Sequence, residues 1–275
     1  MTEATSLART FVDPTAVGAD HTAAAVFRAP SSEEAREAHR IQRRLLPVLF
    51  PKMGDCDLHG SWLPANAVGG DYYDVIAIDE SRIAFCIADV SGKGLPAALL
   101  MASIQASLRA VIRTSSDPVE ICCRANRLVF ESTTPERFVT FFIAVLDTST
   151  GSFEYSNAGH VAPVLIAEDG STTSLVDGGS ALGFFDDGVW ERGSGTIGPG
   201  DRLVLLTDGL TEAENDAGEA FGDARLLESL LRYRSRQSAE FHDALFEDAR
   251  RFSGRLQDDA SLLTVTFAAN QGRAG

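Results

Sequence analysis

The chain has 275 residues, 44% of them apolar and 23% charged, with a formal net charge of -15. That length and apolar content suit one large domain with a substantial core, or two small ones. The acidic balance argues against nucleic acid and anionic membrane as partners, since both require a basic face.

Residues 1–30 mix Ala, Thr and Asp without a period and read as a flexible tail. Ser31 and Glu34 form a capping box that starts a helix ending near Pro47, so 31–50 reads as a linker or regulatory helix. Within it Ala38, Ile41, Leu45 and Val48 are spaced as a coiled-coil seam or as one face packed on the chain's own domain. The globular part spans 51–268, and a short flexible tail follows over 269–275. Leu58, Gly60 and Trp62 alternate as on a half-buried strand. Tyr72 to Ile78 and Arg82 to Val90 pair as a hairpin across Asp79-Glu80-Ser81. A largely apolar helix over Leu95 to Arg113 carries Pro96 in its first turn. Asp117-Pro118-Val119-Glu120 opens another, running to about Glu131.

Phe138 to Leu146 is a continuous apolar strand, too short to cross a bilayer. It returns through Asp147 to Gly151 into a strand carrying Phe153 and Tyr155. Pro163 to Ala167 and Thr172 to Val176 make a further hairpin around Asp169-Gly170. Strands follow over Val189 to Ile197 and Arg202 to Leu206. Asp223 and Ser238 are read as caps of two helices, the second burying Phe241, Leu245 and Ala249. Leu262 to Phe267 closes the fold. Many antiparallel strands with long helices imply an α+β layered architecture. The N-terminus lacks a secretory pattern. Cys56, Cys86, Cys122 and Cys123 lack metal-like spacing and read as buried free thiols, which together suggest a cytoplasmic protein.

Aspartates recur where apolar strands meet tight turns. Asp71 stands in Gly69-Gly70-Asp71-Tyr72-Tyr73-Asp74, and Asp89 in Asp89-Val90-Ser91-Gly92-Lys93-Gly94. Asp208 follows Leu203 to Leu206, and Asp258-Asp259 precedes the last strand. Strand ends place carboxylates rigidly. Two carboxylates about 4 Å apart repel by roughly 4 kcal/mol at an effective dielectric near 20, so a cluster of several calls for cations. Oxygen donors without His or Cys point to Mg²⁺ or Mn²⁺. No CxxxxxR loop, GxSxG elbow or Walker A motif offers a competing chemistry.

These stretches, with Pro64-Ala65, Pro96-Ala97-Ala98, Asn157-Ala158-Gly159-His160, Pro163 and Thr207-Asp208-Gly209-Leu210-Thr211-Glu212-Ala213, occur in the order of a known family. The chain resembles the SpoIIE/RsbU-type serine phosphatases, the bacterial branch of the PP2C-like (PPM) metal-dependent phosphatases. The resemblance covers roughly residues 41–268. It implies a four-layer α-β-β-α sandwich of two antiparallel sheets flanked by helices, with two Mn²⁺ or Mg²⁺ ions between the sheets. It also implies Asp89 as the bridging ligand, the Val90 carbonyl as a ligand of one metal, and Asp208 and Asp258 as ligands of the other. Asp71 resembles a further ligand, often acting through water. The last ligand is Asp258 or Asp259; Asp258 is preferred, because Asp259 stands where the wider superfamily tends to carry Asn.

Two positions depart from the wider superfamily. Ser91 stands in place of a His, and Asn66 lies near the place of a phosphate-binding Arg, so the general acid and the phosphate clamp are unassigned. His160 reads as a proton donor or as a structural residue pinning the Asn157 turn, and Asp74 as a supporting carboxylate or a direct ligand. The resemblance implies a phosphoserine phosphatase acting on a STAS-domain anti-anti-sigma protein in a partner-switching pathway. A non-catalytic binding module and a phosphatase for small phosphoesters are the alternatives. The helix over 31–50 is expected to engage a regulator or a second copy.

Overall fold

The structure is a computed structural model, describing residues 32–267 apart from 48, 55 and 135. The expectations for both tails, for Ser31 and for Val48 lie outside the described residues. Helix α1 (Ser32–Arg43) leads into β1 (Cys56–Leu63), β2 (Tyr72–Ala77) and β3 (Arg82–Val90). Helices α2 (Gly94–Ile112) and α3 (Pro118–Ser132) precede β4 (Val139–Asp147), β5 (Ser152–Ala158), β6 (Val164–Ile166) and β7 (Thr172–Ser174). Then come β8 (Gly178–Gly179), β9 (Gly193–Thr196), β10 (Arg202–Leu206), α4 (Gly222–Tyr233), α5 (Ser238–Ser253) and β11 (Ala260–Phe267).

The strands form two sheets. One runs β1-β11-β10-β6-β7, the other β2-β3-β4-β5-β8 with β9 also paired to β5. Helices α2 and α3 cover the second sheet, and α5, with α4 beside it, covers the first. This is the expected four-layer sandwich, with one correction: β5 and β8 run parallel, through Asn157↔Gly178 and Ala158↔Gly179. Strands β3 and β4 read as unbroken apolar runs because both their faces are covered, one by helices and one by the opposing sheet. Phe85, Phe141 and Phe142 are fully buried there, each contributing about 1.5–3 kcal/mol. A second core under α4 and α5 gathers Val204, Leu206, Leu226, Phe241 and Leu262.

Local signals account for most boundaries. Asp117 caps α3 by accepting a hydrogen bond from the Val119 amide at 2.9 Å, with Pro118 in the first turn. Helix α2 is long and apolar enough to cross a membrane by length and composition. Here its Met101, Leu108 and Ile112 are buried against the sheet and α3.

Other expectations need correction. Helix α1 stops at Arg43, where Arg44 and Leu45 close short turns onto Ile41 and Gln42. Only Gly193–Thr196 of the strand expected over 189–197 pairs along β5, while Trp190 bridges Gly179. Asp223 lies inside the first turn of α4, whose N-cap is Phe221. Ser238 begins α5 but turns its hydroxyl to Asp57 of β1, at 2.9 Å. Cys123 is exposed and Cys56 half-buried, so only Cys86 and Cys122 are buried as expected, and all four thiols are free.

The seam is used in part: Ile41 is 56% exposed, whereas Ala38 is half-buried and Leu45, just past α1, packs against the main core of the chain's own domain. The helix also docks through polar groups. Buried Gln42 donates to the Gly69 carbonyl at 2.6 Å and accepts from the Gly69 amide at 3.0 Å. His39 stacks on Trp62 and contacts the Ala67 carbonyl.

Candidate active site

The inner faces of the two sheets meet where β2, β3, β10 and β11 begin or end. Asp71 precedes β2 and is 1% exposed. Its Oδ2 accepts hydrogen bonds from Thr207 Oγ1, after β10, at 2.8 Å and from Ser261 Oγ, in β11, at 2.7 Å. Thr207 also receives the Ser261 amide on its hydroxyl. One carboxylate thereby ties the ends of both sheets together. Burial and the charge of Asp89 push the Asp71 carboxyl well above the usual range, against the two hydroxyl hydrogen bonds.

Asp89, near the end of β3, is half-buried, and its register partner on β4 is Thr140. Burial, then Asp208, Asp258, Asp259 and Glu212, push its pKa up to about 7. Asp208 rises to about 6 through burial and the charges of Glu212 and Asp258. Asp89 therefore lies within electrostatic reach of Asp71, Asp208 and Asp258, which come from positions far apart in the chain. Such crowding of like charges is what a cation relieves.

Asp258 and Asp259 are adjacent but differ in surroundings. Asp259 is buried, and its Oδ1 and Oδ2 accept the amides of Ala65 and Gly70, each at 2.9 Å. It clamps the loop that carries Asp71. A Cβ at Gly69 would sit 2.1 Å from the Asp259 carboxylate, so this approach requires glycine. Asp258 is half-buried and pairs with Lys93 Nζ at 2.6 Å. Asp259 thus spends its oxygens on the loop backbone, while Asp258, whose Oδ1 accepts the Asp259 amide at 2.9 Å, lies near enough to Asp89 and Asp208 to raise both.

Asp74 turns away from this centre. It is 0% exposed and faces α2, where it accepts from Tyr72 Oη at 2.7 Å and from Arg109 Nε and Nη2. A direct ligand role is corrected to a structural ion pair between β2 and α2.

His160 bridges the sheets. Its Nδ1 lies 2.8 Å from Thr140 Oγ1, opposite Asp89, and its Nε2 lies 3.1 Å from the Leu206 carbonyl, two residues before Asp208. Asn157 holds its backbone on both sides. Burial lowers its pKa to about 4. Against a carbonyl, Nε2–H donates and Nδ1 accepts from Thr140, so the neutral imidazole has both nitrogens engaged and braces β4 against the end of β10, the structural one of its two expected roles. Ser91 Oγ accepts the Phe138 amide at 3.0 Å, which props β4 and gives no sign of an acid. Asn66 is exposed.

The donor set fits a hard divalent cation: Asp89, Asp208 and Asp258 offer oxygens only, and among the described residues Lys93 is the one cation paired with them. Among the described residues no group of three or more His, Cys, Asp or Glu is arranged as a ready-made metal cage. The roles of Thr207, Ser261 and Lys93, and of Asp259 as a clamp, were not read from the sequence. Their signal is positional, since Thr207, Lys93 and Asp259 lie inside the motif stretches and Ser261 lies three residues after Asp258.

Residues 79–268 match the family described as Stage II sporulation protein E (SpoIIE). Protein IcfG of Synechocystis sp. is 28% identical over 261 residues, 84% of this chain and 41% of that protein. Phosphoserine phosphatase RsbU of Bacillus subtilis is 31% identical over 182 residues, 66% of this chain and 54% of that protein. The chain thus spans about half the length of these relatives. Among solved structures, the SiaA-PP2C domain of Pseudomonas aeruginosa aligns with a TM-score of 0.76 at 22% identity, covering 86% of this chain and 96% of that one.

Proposed function

The chain belongs to the SpoIIE family, in the SpoIIE/RsbU-type branch of the PP2C-like phosphatases, and on that premise we propose that it is a metal-dependent protein-serine/threonine phosphatase. The observation that carries the reading is the convergence of Asp71, Asp89, Asp208 and Asp258 between the sheets, with the carboxyls of Asp71, Asp89 and Asp208 raised by burial and mutual repulsion. Asp89, Asp208, Asp258 and the Val90 carbonyl would hold two Mn²⁺ or Mg²⁺ ions, with Asp71 contributing behind them. Bound metals of this kind lower the pKa of a water and neutralise phosphoryl charge.

The chain's own residues do the positioning. Thr207 and Ser261 hold Asp71, Asp259 holds the loop in front of it, and His160 braces β4 against the end of β10. Cores on both sides keep these strand ends rigid, which preserves in-line geometry.

The proposed substrate is a phosphoserine on a STAS-domain anti-anti-sigma protein within a cytoplasmic partner-switching pathway. The test is phosphate release from phosphorylated STAS proteins and from p-nitrophenyl phosphate, with Mn²⁺ and after exhaustive EDTA. Mn²⁺-dependent release favouring the protein substrate is expected. Preference for p-nitrophenyl phosphate would support a small-phosphoester enzyme, and no release from either would support a binding module. Residues 51–268 would form the phosphatase domain and 31–50 its regulatory helix, acted on by a regulator or a second copy. Gln42 supports this, since it grips the Gly69 backbone two residues from Asp71. Gln42→Ala should alter the Mn²⁺ dependence of the rate; an unchanged metal titration would remove α1 from control of the site.

A further inference from the structure

Lys93 stands in the turn that joins β3 to α2, four residues after Asp89. Its ammonium is 2.6 Å from Asp258 Oδ2 and 3.4 Å from the Gln257 carbonyl. Among the described residues it is the one cationic side chain paired with Asp89, Asp208 or Asp258. It thus supplies charge where the carboxylates crowd. The tether is weak. Lys93 keeps 58% side-chain exposure and Asp258 27%, and exposed ion pairs are easily exchanged. The backbone is built for exchange as well. Gly92 and Gly94, on either side, have φ of 98° and 69°. Neither holds a side chain that would block the lysine's sweep. A Cβ at Gly92 would meet the Arg137 guanidinium, whose Nη1 donates to the Ser91 carbonyl. Arg137 thus fixes one side of the turn and leaves Lys93 as its movable cation.

We propose that Lys93 is a tethered counter-ion that changes partners. It neutralises Asp258 while the centre lacks divalent cations, and once they are bound it turns to the phosphoryl oxygens of the substrate. The proposal rests on the phosphatase reading and supplies the phosphate-binding cation that Asn66 cannot provide. Both partners of Lys93 are oxygen anions, one carboxylate and one phosphoryl, so the same three N–H donors serve each in turn. No proton or bond need be broken for the exchange.

The two roles predict opposite effects of one substitution, a pattern that loss of fold would not produce. In the full chain, Lys93→Gln should tighten Mn²⁺ about fivefold, the equilibrium worth of a partly exposed ion pair. That is read without turnover, from Mn²⁺ titration by calorimetry and from the Mn²⁺-induced rise in melting temperature. The same variant should raise KM for a phosphoserine peptide, and the inhibition constant of inorganic phosphate, by about tenfold, as expected for one lost charge-assisted hydrogen bond. Lys93→Arg, which keeps the charge, should stay near the wild type in both. Unchanged or weaker Mn²⁺ binding in Lys93→Gln would overturn the counter-ion role, and an unchanged phosphate inhibition constant the phosphate role. If the wild-type chain hydrolyses no phosphoserine substrate while Lys93→Gln still tightens Mn²⁺, the proposed activity fails and the counter-ion role stands.

Discussion

Asp71 and Asp74 lie three residues apart at the start of one strand, and they face opposite layers. Asp74 looks outward into a closed ion pair, fully buried and met by Arg109, Tyr72 and the amide of Val75. Asp71 looks inward at other carboxylates and receives only two neutral hydroxyls. The first is complete without any additional charge. The second belongs to a group in which like charges raise the pKa values of Asp71 and Asp89, and among the described residues its ion pairing is confined to Lys93 with Asp258. A buried carboxylate that holds a fold is therefore told from one that would hold a cation by its partners, not by its burial.

The largest effect that would break this comparison is on turnover. Asp89→Asn and Asp208→Asn should each lower kcat by about a hundredfold or more, with the fold retained, because removing one of several like charges does not weaken packing. Asp169 bonds only locally to Ser171, in the turn after β6, and Asp169→Asn should be near neutral. Phosphate release from a phosphoserine peptide checks all three. Equal losses would mean that the inner group has no special role.

The outer pair should respond in stability instead. Arg109→Ala strands the buried Asp74 carboxylate and should cost about 3 kcal/mol, the low end for a broken buried pair, since Arg109 itself is 40% exposed. Urea unfolding measures this, and the rate per folded molecule should stay within a few-fold of the wild type. Mn²⁺ at a hundredfold above its dissociation constant should stabilise the wild type by about 2.7 kcal/mol. Asp89→Asn should lose most of that gain, whereas Arg109→Ala should keep it. A melting temperature indifferent to Mn²⁺ would remove the distinction between the two regions.

His160 sharpens the comparison by a smaller amount. Burial disfavours its imidazolium and lowers its pKa from 6.5 to about 4. The unfolded chain takes up a proton below 6.5 that the folded chain resists, so this contribution is full above 6.5 and is lost as pH falls toward about 4. Melting curves across that window should show a fall that His160→Gln reduces. The same variant should lower kcat several-fold by loosening the spacing between β4 and the end of β10, and an unchanged kcat would leave His160 a role in stability alone.

Much of the architecture was legible because its causes are local. The apolar runs of β3 and β4, the Asp79 turn, the Asp117 cap with Pro118, and the alternation in β5 each declare themselves within a few residues. The four acidic strand ends and their order were equally readable, and they pointed to the family. What was not legible depends on partners distant in the chain. Gly178-Gly179 carries no side-chain pattern, so β8 appears only through its backbone pairing with β5. Ser238 looks like a helix cap and bonds Asp57 instead. Ile41 looks like a seam residue, yet α1 docks through Gln42, whose partner is the backbone of Gly69.

By itself, then, the sequence determined the layered fold, the family and the candidate aspartates, since strand periodicity and turn chemistry act over short range. Tertiary structure decided which acids face one another. Residues 71 and 74 differ by an odd number of positions and so point to opposite faces of the sheet. Which face holds Arg109 and which holds Asp89 follows only from the packing of α2 and of the second sheet. The same holds for Asp258 and Asp259: the chain presents two adjacent carboxylates, and only the folded loop over 65–70 engages the second through its amides.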